Sequence, residues 1–431
     1  MRIACVGAGP GGLFFAILAK KLERVTDVTV YEQASEGAPR GWGVVFWPDL
    51  MEQVTATDKP FAEALEAARF TWRDQVVKVH GSEVRFSGSG FSMGRHLMQK
   101  LLVDRAREVG VRIEFDRRID RLSELKDFDL VVAADGVRGS LRALAKGVQT
   151  KIVEGSNRYI WLGTEKQFSS FAFPFVQTPA GWVWAHAYAF GDAGSTFIVE
   201  TTEATWRGLE LDRLGPEATI RFLESVFAEH LDGHKLILQE DSGDFAPWRR
   251  FATVRNSRWY SGNVALIGDS AHTTHFTVGS GTRLALEDAI ALSRHLSRGT
   301  SLEDALAGYA AERAEELSFI SRRARASAEW FENAPRYIDR EPQDFARLLI
   351  QRRELMVRKL PGLYLTLHRL AAVPVLGTLM RQTRAVARST AVGVVSVLRR
   401  RFPAGRRGAS GLAGVGPSAC ASRARGRLRQ R

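Results

Sequence analysis

The first 40 residues contain two short apolar runs separated by a segment with helical spacing. The apolar run at residues 2–7 predicts a strand buried on both faces of a sheet, and residues 28–32 predict a second strand. Between them, a glycine cluster precedes apolar positions at helical spacing from Leu13 to Leu22. This order predicts a βαβ unit of about 30 residues with parallel strands.

Further along the chain, the hydrophobic pattern predicts helices and two kinds of strand. Apolar runs predict strands at residues 111–115, 130–136 and 264–268, the last in the parallel sheet. Helical spacing predicts helices at residues 96–108, 216–231, 282–296 and 302–333. Residues 158–200 instead alternate with a period of two and are rich in Trp, Phe, Tyr and Thr, which predicts antiparallel strands.

The change of pattern near residue 156 divides the chain into candidate domains. We expect an α/β fold in which a Rossmann-like dinucleotide-binding domain is discontinuous, with residues 1–155 and 250–300. We expect residues 156–249 to form an antiparallel sheet domain on the substrate side, and residues 301–400 to form a helical C-terminal region. Residues 401–431 are rich in Gly, Ala, Ser and Arg, which predicts a disordered tail.

The net charge of +13 is concentrated at one end of the chain. The last acidic residue is Glu354, and the 77 residues after it contain 16 Lys and Arg. Residues 1–354 contain 45 basic and 48 acidic side chains, so the body is slightly acidic. The tail is consistent with solvated charge, with contact to nucleic acid or an anionic membrane, or with docking onto an acidic carrier protein. We expect no nucleic-acid partner, because the body lacks the sequence signature of a nucleic-acid-binding fold.

Composition and cysteine content indicate a globular protein in a reducing compartment. A chain of 431 residues with 45% hydrophobic and 25% charged residues is neither collagen-like, nor a coiled coil, nor wholly disordered. Two remote cysteines, Cys5 and Cys420, do not make a disulfide framework. The pattern predicts no signal peptide and no transmembrane segment, so we expect a cytoplasmic protein.

The glycine cluster after the first strand matches a dinucleotide-binding fingerprint, Gly7-x-Gly9-x-x-Gly12. The first glycine permits a tight turn, the second lets the backbone approach a pyrophosphate, and the third allows close packing of helix and strand. Glu32 ends the second strand, 20 residues after Gly12, at a position where a carboxylate accepts hydrogen bonds from ribose hydroxyls.

Two later motifs favour FAD over NAD as the dinucleotide. Asp135 and Asp269 each follow a predicted buried strand, and the carboxyl ends of parallel strands are where such sheets bind ligands. Asp269 is followed by Gly279, Gly281 and Thr282, which precede a predicted helix. A second acidic site so far from the first indicates a long, extended cofactor. Asp269 would bind ribityl hydroxyls, although a capping role is the alternative for this residue.

These three motifs, in this order, resemble those of the single-component FAD-dependent aromatic hydroxylases, the flavoprotein monooxygenases that include p-hydroxybenzoate hydroxylase. The resemblance covers about residues 1–355. It is closest to salicylyl-CoA 5-hydroxylase-like and aminobenzoyl-CoA monooxygenase-like members, through residues 41–46, 94–95, 262–264, 272–282 and 330–333. Residues 159–164 and 185–188 also resemble the tryptophan hydroxylase of violacein biosynthesis.

The resemblance implies an NAD(P)H- and O2-dependent monooxygenase. In that family NAD(P)H reduces FAD, a flavin C4a-hydroperoxide forms with O2, and its distal oxygen is transferred to an electron-rich aromatic ring. The substrate would be a small aromatic molecule or an acyl thioester, such as a salicylyl or aminobenzoyl thioester of CoA or a carrier protein. The resemblance places Arg95 and Val44 beside the flavin. Phe276 stands where the broader family has proline, so the ring environment differs there.

The predicted strand at residues 182–188 carries the candidate substrate residues. Alternation places Trp182, Trp184, His186 and Tyr188 on one face, where aromatic side chains would stack on a planar ring. A face packed under a helix is the alternative. His275 and His186 are the candidate catalytic acid–base residues, each with a structural hydrogen-bonding role as the alternative. The spacing of His and Cys residues predicts no metal site.

Two other functions remain open from the sequence alone. The segment Gly181-Trp182-Val183-Trp184 is similar to a motif of flavin-dependent halogenases, which would need chloride. A non-catalytic interaction protein, with a vestigial flavin fold and a partner-binding basic tail, is the second alternative. A protein that takes up no FAD would favour the interaction protein.

Overall fold

The computed structural model describes residues 1–38, 41–192, 194–239 and 248–372. Contacts between Cα atoms divide the chain into two units, Met1–Tyr364 and Leu365–Arg431. The first unit contains all the sheets and both cavities described below. Residues 373–400 of the expected helical region and the expected tail at residues 401–431 lie outside the described residues. Within the described ranges, no helix is both long and apolar enough to cross a membrane.

The described residues form sixteen strands: β1 Arg2–Val6, β2 Asp27–Tyr31, β3 Gly43–Phe46, β4 Phe70–Val79, β5 Ser82–Gly94, β6 Arg112–Glu114, β7 Leu130–Ala133, β8 Thr150–Glu154, β9 Arg158–Thr164, β10 Phe171–Thr178, β11 Gly181–Ala189, β12 Ser195–Thr201, β13 Leu236–Leu238, β14 Ala252–Asn256, β15 Tyr260–Ser261 and β16 Val264–Leu266. They also form fourteen α-helices: α1 Pro10–Lys20, α2 Pro48–Thr57, α3 Lys59–Ala68, α4 Arg95–Glu108, α5 Leu141–Leu144, α6 Glu203–Gly208, α7 Pro216–Val226, α8 Ala228–Leu231, α9 Gly281–Ser297, α10 Leu302–Glu332, α11 Pro335–Ile338, α12 Pro342–Ile350, α13 Leu355–Lys359 and α14 Pro361–Ala372.

A six-stranded sheet carries the predicted dinucleotide fingerprint. Its strand order is β15-β16-β7-β1-β2-β6, and every neighbouring pair is parallel except β15 with β16. Strands β1 and β7 are buried almost throughout, as the continuous apolar runs predict. The α/β fold is confirmed. Strands β1 and β16 fall within the predicted strands, and β2 is shifted from its predicted range by one residue.

An eight-stranded sheet forms the second layer, with strand order β13-β9-β12-β11-β10-β4-β5-β3. All neighbouring pairs are antiparallel except β10 with β4. Three of its strands, β3, β4 and β5, come from residues 43–94, where the sequence pattern predicts no strand. Residues 1–155 therefore contribute strands to both sheets, and their assignment to the dinucleotide-binding domain stays a prediction. The remaining domain boundaries stay a prediction.

A buried carboxylate, Asp288, connects the two long helices α9 and α10 to the turn that follows β16. One of its oxygens accepts hydrogen bonds from the Gly268 backbone N–H at 2.8 Å and from His272 Nε2 at 2.9 Å. The other accepts from Arg313 Nε at 2.7 Å. Burial opposes ionisation, but His272 and Arg313 hold the pKa of Asp288 below its usual value. This network anchors the segment that carries the Gly-Asp motif.

Gly12 permits the close approach of α1 to the turn after β1. A Cβ atom at this position would lie less than 3.0 Å from the backbone oxygen of Gly7, closer than real Cβ atoms approach. We therefore expect Gly12→Ala to lower the free energy of unfolding by about 1–3 kcal/mol, since the backbone must shift. Chemical denaturation measures this change.

Gly9→Ala in the same turn is the matched control, because a Cβ at Gly9 meets nothing within 4 Å. Both variants are compared without bound dinucleotide, because Gly9 also belongs to the predicted pyrophosphate site. The control should unfold at the wild-type denaturant concentration. Equal stability of the two variants would contradict the packing role of Gly12.

Candidate active site

The fingerprint glycines and Glu32 meet at the carboxyl end of the parallel sheet. Gly9 is the N-terminal cap of α1, and the first turn of this helix contains no acidic residue, so its positive end is open to an anion. Glu32 follows β2 and accepts hydrogen bonds from the backbone N–H groups of Ala8 at 2.7 Å and Ala34 at 2.9 Å. The carboxylate is thus held against the glycine turn, the position that recognition of ribose hydroxyls requires.

The two later acids, Asp135 and Asp269, have different surroundings. Asp269 lies in a short 3₁₀ turn after β16, lines a cavity and makes no hydrogen bond with another described residue. Asp135 accepts from the Leu141 backbone N–H at 3.0 Å and from Ser270 Oγ at 2.7 Å. It does not line the cavity. Asp269 is therefore the one of the two predicted cofactor ligands that lines the cavity, while the Ser270–Asp135 hydrogen bond joins the two motifs. The role of Asp135 as a cofactor ligand stays a prediction.

A cavity of roughly 410 Å³ runs from the fingerprint to the eight-stranded sheet, and we call it the ring cavity. Gly9–Gly12 lie at one end, and the sheet contributes aromatic side chains at the other. The other predicted cofactor residues lining it are Val44, Arg95, Gly279, Gly281 and Thr282. Its aromatic lining includes Tyr159, Trp161, Phe171, Phe173 and Tyr188. The cavity therefore combines a phosphate-binding turn with a flat aromatic wall.

The segment that carries Val44 is hydrogen-bonded to the substrate-side sheet. The Tyr188 hydroxyl donates to the Gly43 carbonyl at 2.9 Å, and the Gly43 N–H donates to Thr196 Oγ1 at 2.8 Å. Arg95 begins α4, and its guanidinium lies 5.9 Å from the centre of the Trp161 ring. Both predicted flavin-side residues are thus fixed to the same sheet as the aromatic wall.

The face predicted for strand β11 is observed, but only half of it lines the ring cavity. His186 and Tyr188 line the cavity, whereas Trp182 and Trp184 do not. Trp184 stacks with Phe175 and Phe331, with ring centres 5.8 Å and 6.2 Å apart. Trp182 makes an edge contact with His80. The substrate assignment of the two tryptophans is therefore corrected, because α10 and neighbouring rings cover this part of the face.

Glu200, which the sequence analysis did not single out, lies opposite β11 on strand β12. It accepts hydrogen bonds from His186 Nε2 at 3.0 Å, Trp184 Nε1 at 3.1 Å and Asn157 Nδ2 at 2.8 Å. The sequence does contain one signal for Glu200: it is an acidic residue directly after the apolar run Phe197-Ile198-Val199. Only the sheet register, which pairs Glu200 with Trp184, brings it to His186.

The His186–Glu200 pair is buried, and its protonation follows from its surroundings. Burial lowers the pKa of His186 and outweighs the opposing influence of Glu200. Burial opposes ionisation of Glu200, but hydrogen bonds from His186 and Asn157 hold its pKa below the usual value. At neutral pH the carboxylate is charged and the imidazole is neutral. Because Nε2 then carries the proton donated to Glu200, Nδ1 has a free lone pair.

His275, the other predicted acid–base residue, does not line the ring cavity. It lines a second cavity of roughly 450 Å³, between the β8–β14 ribbon and α10. Its ring stacks on Phe276 at 4.4 Å, and Nδ1 accepts a hydrogen bond from the Thr277 backbone N–H. Burial lowers the pKa of His275 to about 4. The segment of residues 273–276 thus lies between the two cavities, and His275 lines only the second of them.

Arg352, a second residue not singled out from the sequence, lines the ring cavity just after α12. It is 6% exposed. Its Nε donates to Ser327 Oγ at 2.7 Å, Nη1 to the Leu349 carbonyl at 2.9 Å and Nη2 to the Thr277 carbonyl at 2.7 Å.

The described residues contain no cluster of three metal-binding side chains.

These residues fit FAD. Asp269, whose carboxylate has no hydrogen-bond partner among the described residues, offers a ligand for ribityl hydroxyls. The open end of α1 and the carboxylate of Glu32 offer ligands for pyrophosphate and ribose groups. Gly279 has a positive φ of 60°, and a Cβ there would collide with Val45, so only glycine lets this turn form the cavity wall. The fold and the cavity define an FAD-binding oxidoreductase.

Comparison with known proteins gives the family. The family model described as "FAD binding domain" matches residues 127–323. The chain is 39% identical to salicyloyl-CoA 5-hydroxylase of Streptomyces sp., over 78% of this chain and 66% of that protein. It is 36% identical to 3-hydroxy-4-methyl-anthranilyl-[aryl-carrier protein] 5-monooxygenase of Streptosporangium sibiricum, over 78% of this chain and 90% of that protein. The chain belongs to the family of FAD-dependent aromatic monooxygenases, whose members typically use NAD(P)H and O2.

Other relatives agree with this family and fold. Protodeoxyviolaceinate monooxygenase of Chromobacterium violaceum is 31% identical, over 82% of this chain and 95% of that protein. The solved structure of p-nitrophenol 4-monooxygenase from Pseudomonas putida is similar in fold, with a TM-score of 0.63 and 19% identity. That match covers 84% of this chain and 94% of the other. The predicted resemblance is therefore confirmed.

The low pKa of His275 predicts that the free energy of unfolding falls as the solution becomes acidic. Between pH 6.5 and about 4 the unfolded chain binds a proton at this imidazole and the folded chain does not, so stability falls as pH falls. His275→Phe removes this proton uptake. We expect the loss of unfolding free energy between pH 7 and pH 5 to be smaller in this variant by roughly 1–2 kcal/mol. Urea unfolding at both pH values measures it.

His234→Gln is the matched control, because His234 is exposed. This variant should show the wild-type dependence of stability on pH. If His275→Phe also shows the wild-type dependence, the buried and uncharged state of His275 is wrong.

Proposed function

We propose that this protein hydroxylates an aromatic ring that carries an acyl group, presented as a thioester of CoA or of a carrier protein. Two relatives support this substrate class, since their names specify a salicyloyl-CoA and an aryl-carrier-protein substrate. The observation that carries the proposal is the aromatic wall of the ring cavity, which holds the His186–Glu200 pair close to the dinucleotide-binding edge.

Bound FAD would supply the reduction of O2 and the transfer of one oxygen atom to the ring. For its binding we propose Glu32 at the ribose, the open end of α1 at the pyrophosphate and Asp269 at the ribityl chain. Val44 and Arg95, with Gly279, Gly281 and Thr282, would surround its ring system. The aromatic wall would orient the substrate ring and exclude water.

We assign the proton transfer to His186. Its Nδ1 lone pair would accept the proton of a substrate hydroxyl or amino group, which raises the electron density of the ring. The charged carboxylate of Glu200 would then stabilise the imidazolium through the Nε2 hydrogen bond. His275 has no part in this step, because it lines the other cavity.

Asp269→Ala tests the proposed ribityl ligand. Because this carboxylate has no hydrogen-bond partner among the described residues, its loss should weaken FAD binding by roughly 10-fold or more without a large change in folding. The ratio of flavin to protein after gel filtration measures this. Asp212→Ala, an exposed acid, is the control and should retain FAD. Full retention of FAD by Asp269→Ala would reject the assignment.

His186→Gln tests the proton acceptor, since glutamine can still donate to Glu200 but cannot take a proton. We expect the rate of hydroxylation to fall by about 10²-fold or more, while FAD is retained. The assay is substrate-stimulated NAD(P)H oxidation with ¹⁸O-labelled O2, across free aromatic acids and their thioesters. His234→Gln should react at the wild-type rate. Products without the label would reject monooxygenation by this protein.

A further inference from the structure

Arg352 is a buried cation whose three hydrogen bonds all go to uncharged acceptors. The acceptors are the Ser327 hydroxyl and the carbonyls of Leu349 and Thr277. No carboxylate among the described residues forms an ion pair with Arg352. Burial and the neighbouring Arg353 lower the pKa of Arg352 to about 9, so the guanidinium stays protonated at neutral pH without a counter-ion. An uncompensated buried charge is costly, so its position calls for a functional account.

Arg313, another buried arginine, is neutralised by carboxylates, unlike Arg352. It pairs with Asp288 at 2.7 Å and Glu287 at 3.2 Å, and also with Glu316. These carboxylates outweigh burial and raise the pKa of Arg313. The two arginines are similarly inaccessible, at 1% and 6% exposure. Of these two arginines, Arg352 lines the ring cavity and Arg313 does not. The arginine that has no carboxylate partner among the described residues is therefore the one that lines the proposed ligand-binding cavity.

Glu200 does not fill this role. It is the acidic group that acts on Arg352 electrostatically, but its oxygens accept from His186, Trp184 and Asn157. A guanidinium has five N–H donors, and three of those of Arg352 are used, so two remain for a ligand.

Two phenyl rings place Arg352 beside His186. The guanidinium carbon lies 5.3 Å from the ring centre of Phe331 and 6.0 Å from that of Phe173. The ring centre of His186 lies 4.8 Å and 5.4 Å from the same two rings. The cation and the proposed proton acceptor thus contact the same two rings, within the span of one aromatic substrate.

We propose that Arg352 forms an oxyanion subsite in the ring cavity, which binds an oxygen carrying negative charge on the aromatic substrate. The chemical class is a ring bearing a phenolate or a carboxylate. This inference rests on the proposed function and narrows the substrate class. The carboxyl carbon of an acyl thioester carries no negative charge, so the phenolate is the anion that Arg352 would bind. The phenol proton moves to Nδ1 of His186, and Arg352 binds the resulting phenolate. Arg352 thereby offsets the weak basicity of a buried imidazole.

The test measures binding of two probes of nearly equal shape, benzoate and benzamide, to the FAD-loaded protein. The dissociation constants follow from changes in flavin absorbance. Wild type should bind benzoate at least about 10-fold more tightly than benzamide, because hydrogen bonds to charged groups are the stronger ones. Arg352→Gln should bring the ratio close to one, and Arg352→Lys should give an intermediate ratio.

Arg322→Gln removes the same charge from an exposed position on α10 that lines neither cavity, and it should keep the wild-type ratio. A purely architectural role for Arg352 predicts that both probes weaken equally in Arg352→Gln, and that result would overturn the subsite. If Arg352→Gln does not fold, the wild-type and Arg352→Lys ratios decide, and a wild-type ratio near one rejects the proposal. The measurement needs no turnover, so absence of hydroxylation with intact anion preference would reject the proposed function alone.

Discussion

The buried carboxylate of Asp288 is the interaction on which the geometry of both cavities depends. It binds the Gly268 backbone, His272 and Arg313, and so joins the turn after β16 to α9 and α10. The residues between Gly268 and Gly281 form the wall that the two cavities share. Breaking a buried ion pair on one side leaves a charge uncompensated, at a cost of about 3–5 kcal/mol. The position of Asp269, next to the anchored Gly268, is therefore set by three side chains, Asp288, His272 and Arg313, that do not line the ring cavity.

The parallel sheet could be predicted from the sequence because its signals are local. The order of strand, glycine turn, helix and acid is readable within residues 2–32, and the observed β1, α1 and β2 follow it. Strands β3, β4 and β5 were missed because their pattern is weak. In β5, for example, Gly88 and Gly90 interrupt a strand of alternating exposure. Such strands are stabilised by neighbours distant in sequence, here β10 along β4, and no local pattern reports that pairing.

The candidate site divides in the same way between local and long-range signals. The glycines, Glu32 and Asp269 stand in motifs with a fixed spacing, and the structure brings them to one sheet edge and one cavity. The partners of His186 could not be predicted, because Glu200 reaches it through sheet register and Arg352 through the packing of α10 and α12. The two strongest sequence candidates for acid–base chemistry, His275 and His186, looked equivalent as residue types. Only the placement of the wall between the cavities separates them.

Strand β3 belongs to two structures at once, as the edge strand of the eight-stranded sheet and as part of the lining of the ring cavity. Its pairing with β5 and the Tyr188 hydrogen bond fix the distance from the cofactor side to the aromatic wall through the backbone. Side chains of β10 that line the cavity, Phe171 and Phe173, can then be exchanged without moving that frame. We therefore expect single substitutions in this lining to change which aromatic ring fits, while the spacing between the cofactor side and the aromatic wall stays the same.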